Sequence, residues 1–307
     1  MNINELLNIE LKHHRSIFNK TRQNTQLCRE YIYNSNIEIT FSVIVPVYNQ
    51  ELIIVNNLTS IINNIGGTFE LIIILDFCKD NSKTNILNFF DNYKNKNDNF
   101  YGIKIYSEDT IPLFEATCDN IGFIVSKGKY CLEIQADMEM TEKNFNLQLE
   151  KPFKLLNNII AVSGRCSHNF FDNQGIGKLG ISIEKSLIEL NIDKNIFYSY
   201  ETCNRGPLLL DKEKLSNLLY LDEKNWYLDN SDHDLMYRAF TQKGYICGYV
   251  PINFISPLKN GSTRLKLKNK YNEEVRQIRK NENLYNNNFN NIKDNLYKKR
   301  SYKKYNL

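Results

Sequence analysis

Residues 41–76 read FSVIVPVYNQELIIVNNLTSIINNIGGTFELIIILD, two apolar runs with a helical stretch between them. The β-branched run FSVIVPV (41–47) has the character of a buried strand, and Asn49 is placed to cap a helix that continues to about Asn64. Gly66 and Gly67 end that helix, and FELIIIL (69–75) is the next strand. The alternation continues outward. Ser82 is positioned to cap a helix to about Tyr93, YGIKIY (101–106) is a third strand, 113–127 is helical and 130–134 is a fourth strand. A βαβαβαβ order implies an α/β fold with a mostly parallel sheet and right-handed crossovers.

Beyond this core the pattern is less regular. Thr141 opens a helix over 141–155, and IIAVSG (159–164) is a strand. IGKLGISIEKSLIEL is helical, GPLLL (206–210) strand-like, DHDLMYRAFTQKG (232–244) helical and YICGYV (245–250) a strand. Residues 1–40 read as a polar helical extension. The low-complexity stretch at the other end, within 265–307, reads as loosely ordered or docked as helix.

With 307 residues, 42% hydrophobic and 24% charged, the chain can bury a full core. The first residues, MNINELLNIELKHHRSIF, carry Glu5 and Glu10 and do not resemble a secretory signal. No apolar stretch approaches the roughly 18 residues that span a bilayer. Seven cysteines are scattered without CxxC spacing and fit buried reduced thiols, so a cytoplasmic protein is expected. The net charge of +4 is unevenly placed: residues 265–307 hold twelve Lys/Arg against four acids, leaving −4 on the rest. That basic tail suits peripheral contact with an anionic membrane or a partner. Only tyrosines interleave its charges and no nucleic-acid motif accompanies it, so a specific nucleic-acid partner is not expected.

Polar groups cluster where strands end, the place at which doubly wound sheets bind ligands. PVYNQE (46–51) and DFCKD (76–80) follow the first two strands. A nucleotide base could stack on Tyr48 and bond its imide to Asp76, with ribose hydroxyls reaching the Pro46 carbonyl or Glu51. The plainer reading makes Asn49 a helix cap, Tyr48 packing, and Asp76 and Asp80 turn residues. QADMEM (135–140) places Asp137 and Glu139 after the fourth strand.

The order of these motifs resembles that of family 2 glycosyltransferases. FSVIVPVYNQELIIVNNLTSI…FELIIILDFCKDNS is similar to that family's opening, and EATCDNIGFIVSKGKYCLEIQAD to its ARN…DxD region. NRGPLLLDKEKLSNLLYLDE…DNSDHDLMYRA resembles its acceptor-side segment, which ends in an ED-type motif. The resemblance covers about 41–264 and implies a GT-A fold, Rossmann-like, with a mostly parallel mixed sheet flanked by helices and helical N- and C-terminal extensions. It divides the chain into an extension (1–40), a nucleotide-sugar-binding half (41–140), an acceptor-binding half (141–264) and a basic tail (265–307). It implies metal-dependent inverting transfer of a sugar from a nucleoside-diphosphate sugar, by analogy UDP-linked, to a saccharide, glycan or protein hydroxyl.

The same resemblance assigns Pro46, Tyr48, Asn49, Glu51, Asp76 and Asp137 to the donor. Asp137, with help from Glu139, would hold Mn²⁺ or Mg²⁺, and Asp232 would be the general base. Trp226 and His233 are acceptor-side candidates. PLKNGSTRLK (257–266) resembles a loop that closes over diphosphate, with Lys259, Ser262, Thr263 and Arg264 as anion contacts. SDHD also reads as a helix start in which Ser231 caps and Asp234 pairs with Arg238. Three positions depart from the family. Gln135 replaces the first Asp of DxD, Ser231 the Glu of ED, and Asp119 the Arg of ARN, and no His lies near 253–262. These departures leave open a catalytically silent nucleotide-sugar-binding protein, or a nucleotidyltransferase on a similar fold.

Overall fold

The computed structural model describes residues 25–110, 113–164, 193–200, 203, 205–223, 231–255 and 303–307. Strands β2 (Phe41–Val47), β3 (Phe69–Asp76), β4 (Phe100–Glu108) and β5 (Tyr130–Glu133) form a parallel block in the order β4-β3-β2-β5. Their connections are α1 (Ile54–Asn64), α2 (Ser82–Asp91) and α3 (Glu115–Val125). Strand order reverses between β2 and β5, so a crevice opens beyond their carboxyl ends.

The sheet continues through β9 (Leu208–Asp211), β7 (Ile159–Ser163), β10 (Ile246–Tyr249), β8 (Ile196–Tyr200) and β12 (Lys303–Asn306). β9 runs antiparallel between β5 and β7, while β7 and β10 are parallel. Helices α4 (Phe145–Leu155), α5 (Lys212–Asn217) and α6 (Ser231–Lys243) complete the layers. β6 (Glu139–Met140) and β11 (Phe254–Ile255) form a separate antiparallel pair. Among the described residues no helix is long and apolar enough to cross a membrane.

Burial on both faces explains the continuous apolar runs. Val43, Val45, Val47, Leu71, Ile73 and Leu75 point to one core, where Ile54, Leu58 and Ile61 of α1, Ile86 and Phe90 of α2, and Phe145 and Leu149 of α4 meet them. Alternate residues Ile44, Ile72 and Ile74 face a second core with Ile121 and Phe123 of α3, Leu215 of α5, and Leu235 and Met236 of α6. Gly122 lets α3 lie directly on β2, since a Cβ there would sit 2.3 Å from Ile44 Cγ2.

The amino ends of the strands are tied by Glu70. Its carboxylate accepts from Ser42 Oγ (2.7 Å), Lys127 N (2.6 Å) and Lys104 Nζ (3.3 Å). This buried acid sits opposite the crevice and serves the scaffold.

Four local expectations are corrected. Residues 26–32, expected within a helical extension, form strand β1 (Gln26–Ile32), antiparallel to β4. It is an edge strand, and a register shift between Leu27 and Arg29 breaks its period, so only Cys28, Tyr31 and Ile32's neighbour Tyr33 lean on the core. At the other end Lys303–Asn306 docks as strand β12 on β8, not as helix. Asn49 does not cap α1, whose N-cap position is Ile53. The helix expected from Thr141 begins at Phe145, because Glu139–Met140 is held in β6 by pairing with β11.

Candidate active site

The loops after β2 and β3 brace each other. Asn49 adopts a φ of 49°, and its Oδ1 accepts from Lys79 N (2.7 Å) and more weakly from Asp80 N (3.4 Å). Glu51 Oε2 accepts from Asn81 N (2.9 Å), and Asp80 Oδ2 accepts from Glu51 N (3.0 Å). Ser82 Oγ accepts from Gln50 N (2.6 Å), which locks the start of α2 to the β2 loop. Asn49 and Glu51 thus hold loop to loop rather than opening a helix.

Asp76, at the end of β3, accepts from Leu113 N (2.6 Å) through Oδ1 and from Phe114 N (3.0 Å) through Oδ2. It thereby anchors the segment entering α3. Pro46 and Tyr48 are half-buried at the end of β2, on the same side. The structure therefore gathers Pro46, Tyr48, Asn49, Glu51 and Asp76 around one end of the sheet.

The next stretch, 135–140, is read by one face of α1. Asn57 Nδ2 donates to Ala136 O (2.6 Å), Ser60 Oγ accepts from Met140 N (2.9 Å), and Asn64 Nδ2 donates to Met140 O (2.7 Å). Their helical spacing puts these polar groups on one stripe. They hold Asp137, which is buried, in a fixed turn between β5 and β6. Glu139 stands exposed on β6 with its Cα opposite Ile255. Gln135 donates through Nε2 to Glu115 Oε1 (2.8 Å). An aspartate at 135 would instead set a second anion beside Glu115, which gives this substitution a local reason.

A buried ionic cluster lies beside this turn. Arg205 precedes Gly206, whose φ is +54° and whose Cβ position falls 2.8 Å from Met138 Cε, so only glycine fits. Gly206 N donates to Glu133 Oε2 (2.7 Å). Arg205 Nη1 lies 3.1 Å from Glu115 Oε2 and 3.2 Å from Asp119 Oδ2, off the N–H directions, so these contacts are ionic rather than hydrogen-bonded. The guanidinium also donates through Nη2 to Ser231 Oγ at the start of α6. Asp119 therefore does not leave the site without a cation: a positive charge stands beside it, contributed by Arg205. The sequence motif NRGPLLL contains this arginine, but nothing local marks it as a site residue. Glu115 and Glu133 were missed for the same reason, although Glu115 and Asp119 at i, i+4 on α3 do share a face.

Asp232 belongs to the same cluster. Oδ1 accepts from His233 N (2.9 Å) and Oδ2 from Arg205 N (3.2 Å). Burial works against its ionised form, but the His233 and Arg205 charges and these two N–H groups outweigh it and lower its pKa. Its neighbours go the other way. Burial, against the Arg205 charge and with Glu115 and Asp232 adding to it, pushes Asp119 up to about 7. Glu133 is raised well above the carboxylate range, first by burial and then by Asp119 and Glu115. The site so combines two acids whose pKa values are raised with one whose pKa is lowered.

Asp234 takes a structural part. Its Oδ2 accepts from Arg238 Nε (2.8 Å), and Arg238 donates onward to Leu218 O and Tyr220 O. His233 is half-buried in the first turn of α6 beside Asp232. Trp226, Lys259, Ser262, Thr263 and Arg264 lie outside the described residues.

Two places present carboxylates that a divalent cation could use. Glu115, Asp119 and Glu133 present oxygens within 4.8 Å of one another, but the Arg205 guanidinium already lies against two of them. Asp137 offers one hard carboxylate at the end of β5, in a turn that α1 holds fixed. A single carboxylate fits Mg²⁺ or Mn²⁺ when substrate phosphates and water complete the shell.

A mostly parallel sheet flanked by helices, with braced polar loops at its carboxyl ends, places the protein in the GT-A class. The chain belongs to the family described as Glycosyl transferase family 2, whose profile matches residues 42–203. Solved structures agree on the fold. A mannosyltransferase of Pyrobaculum calidifontis, solved with GDP-Man and Mn²⁺, superposes with a TM-score of 0.53 at 15% identity, covering 90% of this chain and 72% of that one. S. aureus TarS 1-349 in complex with UDP-GlcNAc gives 0.52 at 14% identity, covering 84% and 70%. GalNAc-T7 with UDP, GalNAc and Mn²⁺ gives 0.51 at 15% identity, covering 73% and 44%. Against the uncomplexed TarS 1-349 structure the match spans 61% of that chain. No curated protein matches the sequence.

Proposed function

We propose that the protein is a metal-dependent inverting glycosyltransferase that uses a nucleoside-diphosphate sugar, UDP-linked by family resemblance, and an acceptor hydroxyl. The single observation that carries this reading is Asp232. It is a buried carboxylate with a lowered pKa, held by two backbone N–H groups at the start of α6. A carboxylate oxygen pair has about four lone-pair positions, so capacity remains to accept a hydroxyl proton. Residues 41–140 form the donor side, with Tyr48 and Asp76 at the nucleoside and Pro46 and Glu51 toward the ribose. Residues 141–264 form the acceptor side, to which His233 and Trp226 belong. In the transfer, the acceptor hydroxyl gives its proton to Asp232 as its oxygen bonds the anomeric carbon. The bond from that carbon to the phosphate oxygen breaks, the electron pair leaves with the diphosphate, and the configuration inverts.

Asp137 would hold Mn²⁺ or Mg²⁺, with Glu139 as the nearest further acid in sequence. When bound, the metal supplies Lewis-acid stabilisation of charge on the departing diphosphate.

The test is hydrolysis and binding of a panel of UDP- and GDP-sugars with Mn²⁺ present. Turnover of at least one donor is expected, and neither binding nor hydrolysis of any donor sinks the reading. Asp232→Asn should abolish transfer and keep donor affinity. Asp137→Ala should weaken donor binding only when metal is present, and unchanged binding would remove it from the metal site. Binding without turnover by the unaltered protein would favour the silent binding protein that Gln135 and Ser231 suggest.

A further inference from the structure

We infer that Arg205 is the positioning residue of this site, joining α3 to the start of α6 and orienting Asp232. The inference rests on Asp232 being the base of the proposed reaction, but its central measurement does not. Arg205 is 6% exposed, and an arginine so buried is retained where its charge and its fork are both used. Its fork is divided between two elements. One arm faces Glu115 and Asp119 on α3, and the other donates to Ser231, the residue before Asp232. Its backbone N–H separately grips Asp232 Oδ2. Side chain and main chain of one residue therefore fix both the first residue of α6 and the carboxylate that follows it.

The surroundings show why a cation is needed at this spot. Glu115 and Asp119 come from α3, Glu133 from β5 and Asp232 from α6, and among the described residues Arg205 is the lysine or arginine paired with this set. Among the described residues, the other titratable groups that act on or feel Asp232 are His233 on its own helix and the Cys203 thiol in the Arg205 loop. Without the guanidinium, α3 and β5 would present only acids to Asp232, and the proton would be drawn back onto it. Gly206 and its N–H bond to Glu133 set the loop so that Arg205 points inward. A lysine would keep the charge but could not bridge α3 and Ser231 with a planar fork.

The experiment measures Asp232 itself. The protein is labelled with ¹³C at aspartate carboxyl carbons, the Asp232 signal is assigned by its loss in Asp232→Asn, and its titration is followed in the unaltered protein, Arg205→Lys and Arg205→Met. The Asp232 midpoint should rise by about one pH unit or more in Arg205→Met, the scale set by loss of a nearby opposite charge. Arg205→Lys should show a smaller rise. With a donor from the panel, kcat should fall about 10- to 100-fold, as for other orienting partners, with KM within about twofold and partial recovery by lysine. An unchanged Asp232 midpoint in both variants overturns the inference, as does a loss confined to thermal stability. If Arg205→Met does not fold, Arg205→Lys decides the question by the same titration. The titration reads the positioning role even if no donor turns over, whereas absent turnover in the unaltered protein counts against the proposed reaction.

Discussion

At the residue scale, the site is a problem of charge placement. Departures from the family at Gln135 and Asp119 look independent along the chain, yet in space they surround Glu115 and Arg205. Gln135 donates where an acid would repel, and Asp119 accepts the charge that Arg205 brings. Asp119 has its own consequence for stability. Its pKa is raised to about 7 by burial, while the unfolded chain releases this proton near pH 4. Between those values the folded state binds the extra proton, so its contribution is fully present below about pH 4 and is lost as pH rises through about 7. Asp119→Asn stays neutral throughout. Its unfolding free energy should therefore gain on the unaltered protein as pH rises from 4 to 7.5, measured by denaturant melts at each pH. A pH-independent offset would mean that Asp119 titrates normally.

At the element scale, the strands β2 to β5 and helices α1 to α3 were legible, because both faces of the sheet are covered and the apolar runs are uninterrupted. Edge elements were not. β1 and β12 carry charged residues and bury only a few side chains, so local periodicity does not distinguish them from loop or polar helix. The start of α4 shifted to Phe145 because β6 gains its pairing from β11, far away in sequence. Packing of α3 on β2 depends on Gly122. Gly122→Ala would place a methyl 2.3 Å from Ile44 Cγ2, and overpacking of this kind costs about 1–3 kcal/mol. A chemical melt should show that loss, and a chain carrying Gly122→Ala with Ile44→Ala, which removes both clashing Cγ atoms, should lose less than the sum of the two single variants.

At the scale of the whole molecule, one ten-stranded sheet joins strands from residues 26–133 with strands from residues 159–306. β12 closes its far edge: Tyr305 packs near Phe197 with ring centroids 6.0 Å apart, and Leu307 N donates to Asn195 O (2.7 Å). Removing residues 303–307 should cost about 1–3 kcal/mol, the value of one large side chain and a few edge bonds, and leave donor binding intact. Thermal melts and donor titration would check this, and lost donor binding would show that the edge supports the site. The sequence by itself determined the parallel block and the strand-end position of Tyr48, Asp76 and Asp137, because apolar periodicity and turn residues are local signals. Tertiary structure alone decided which acids share one cluster and which arginine meets them. Gly206 meets Glu133 across 73 positions and Arg205 meets Asp232 across 27, and no local pattern records a charge met at that distance.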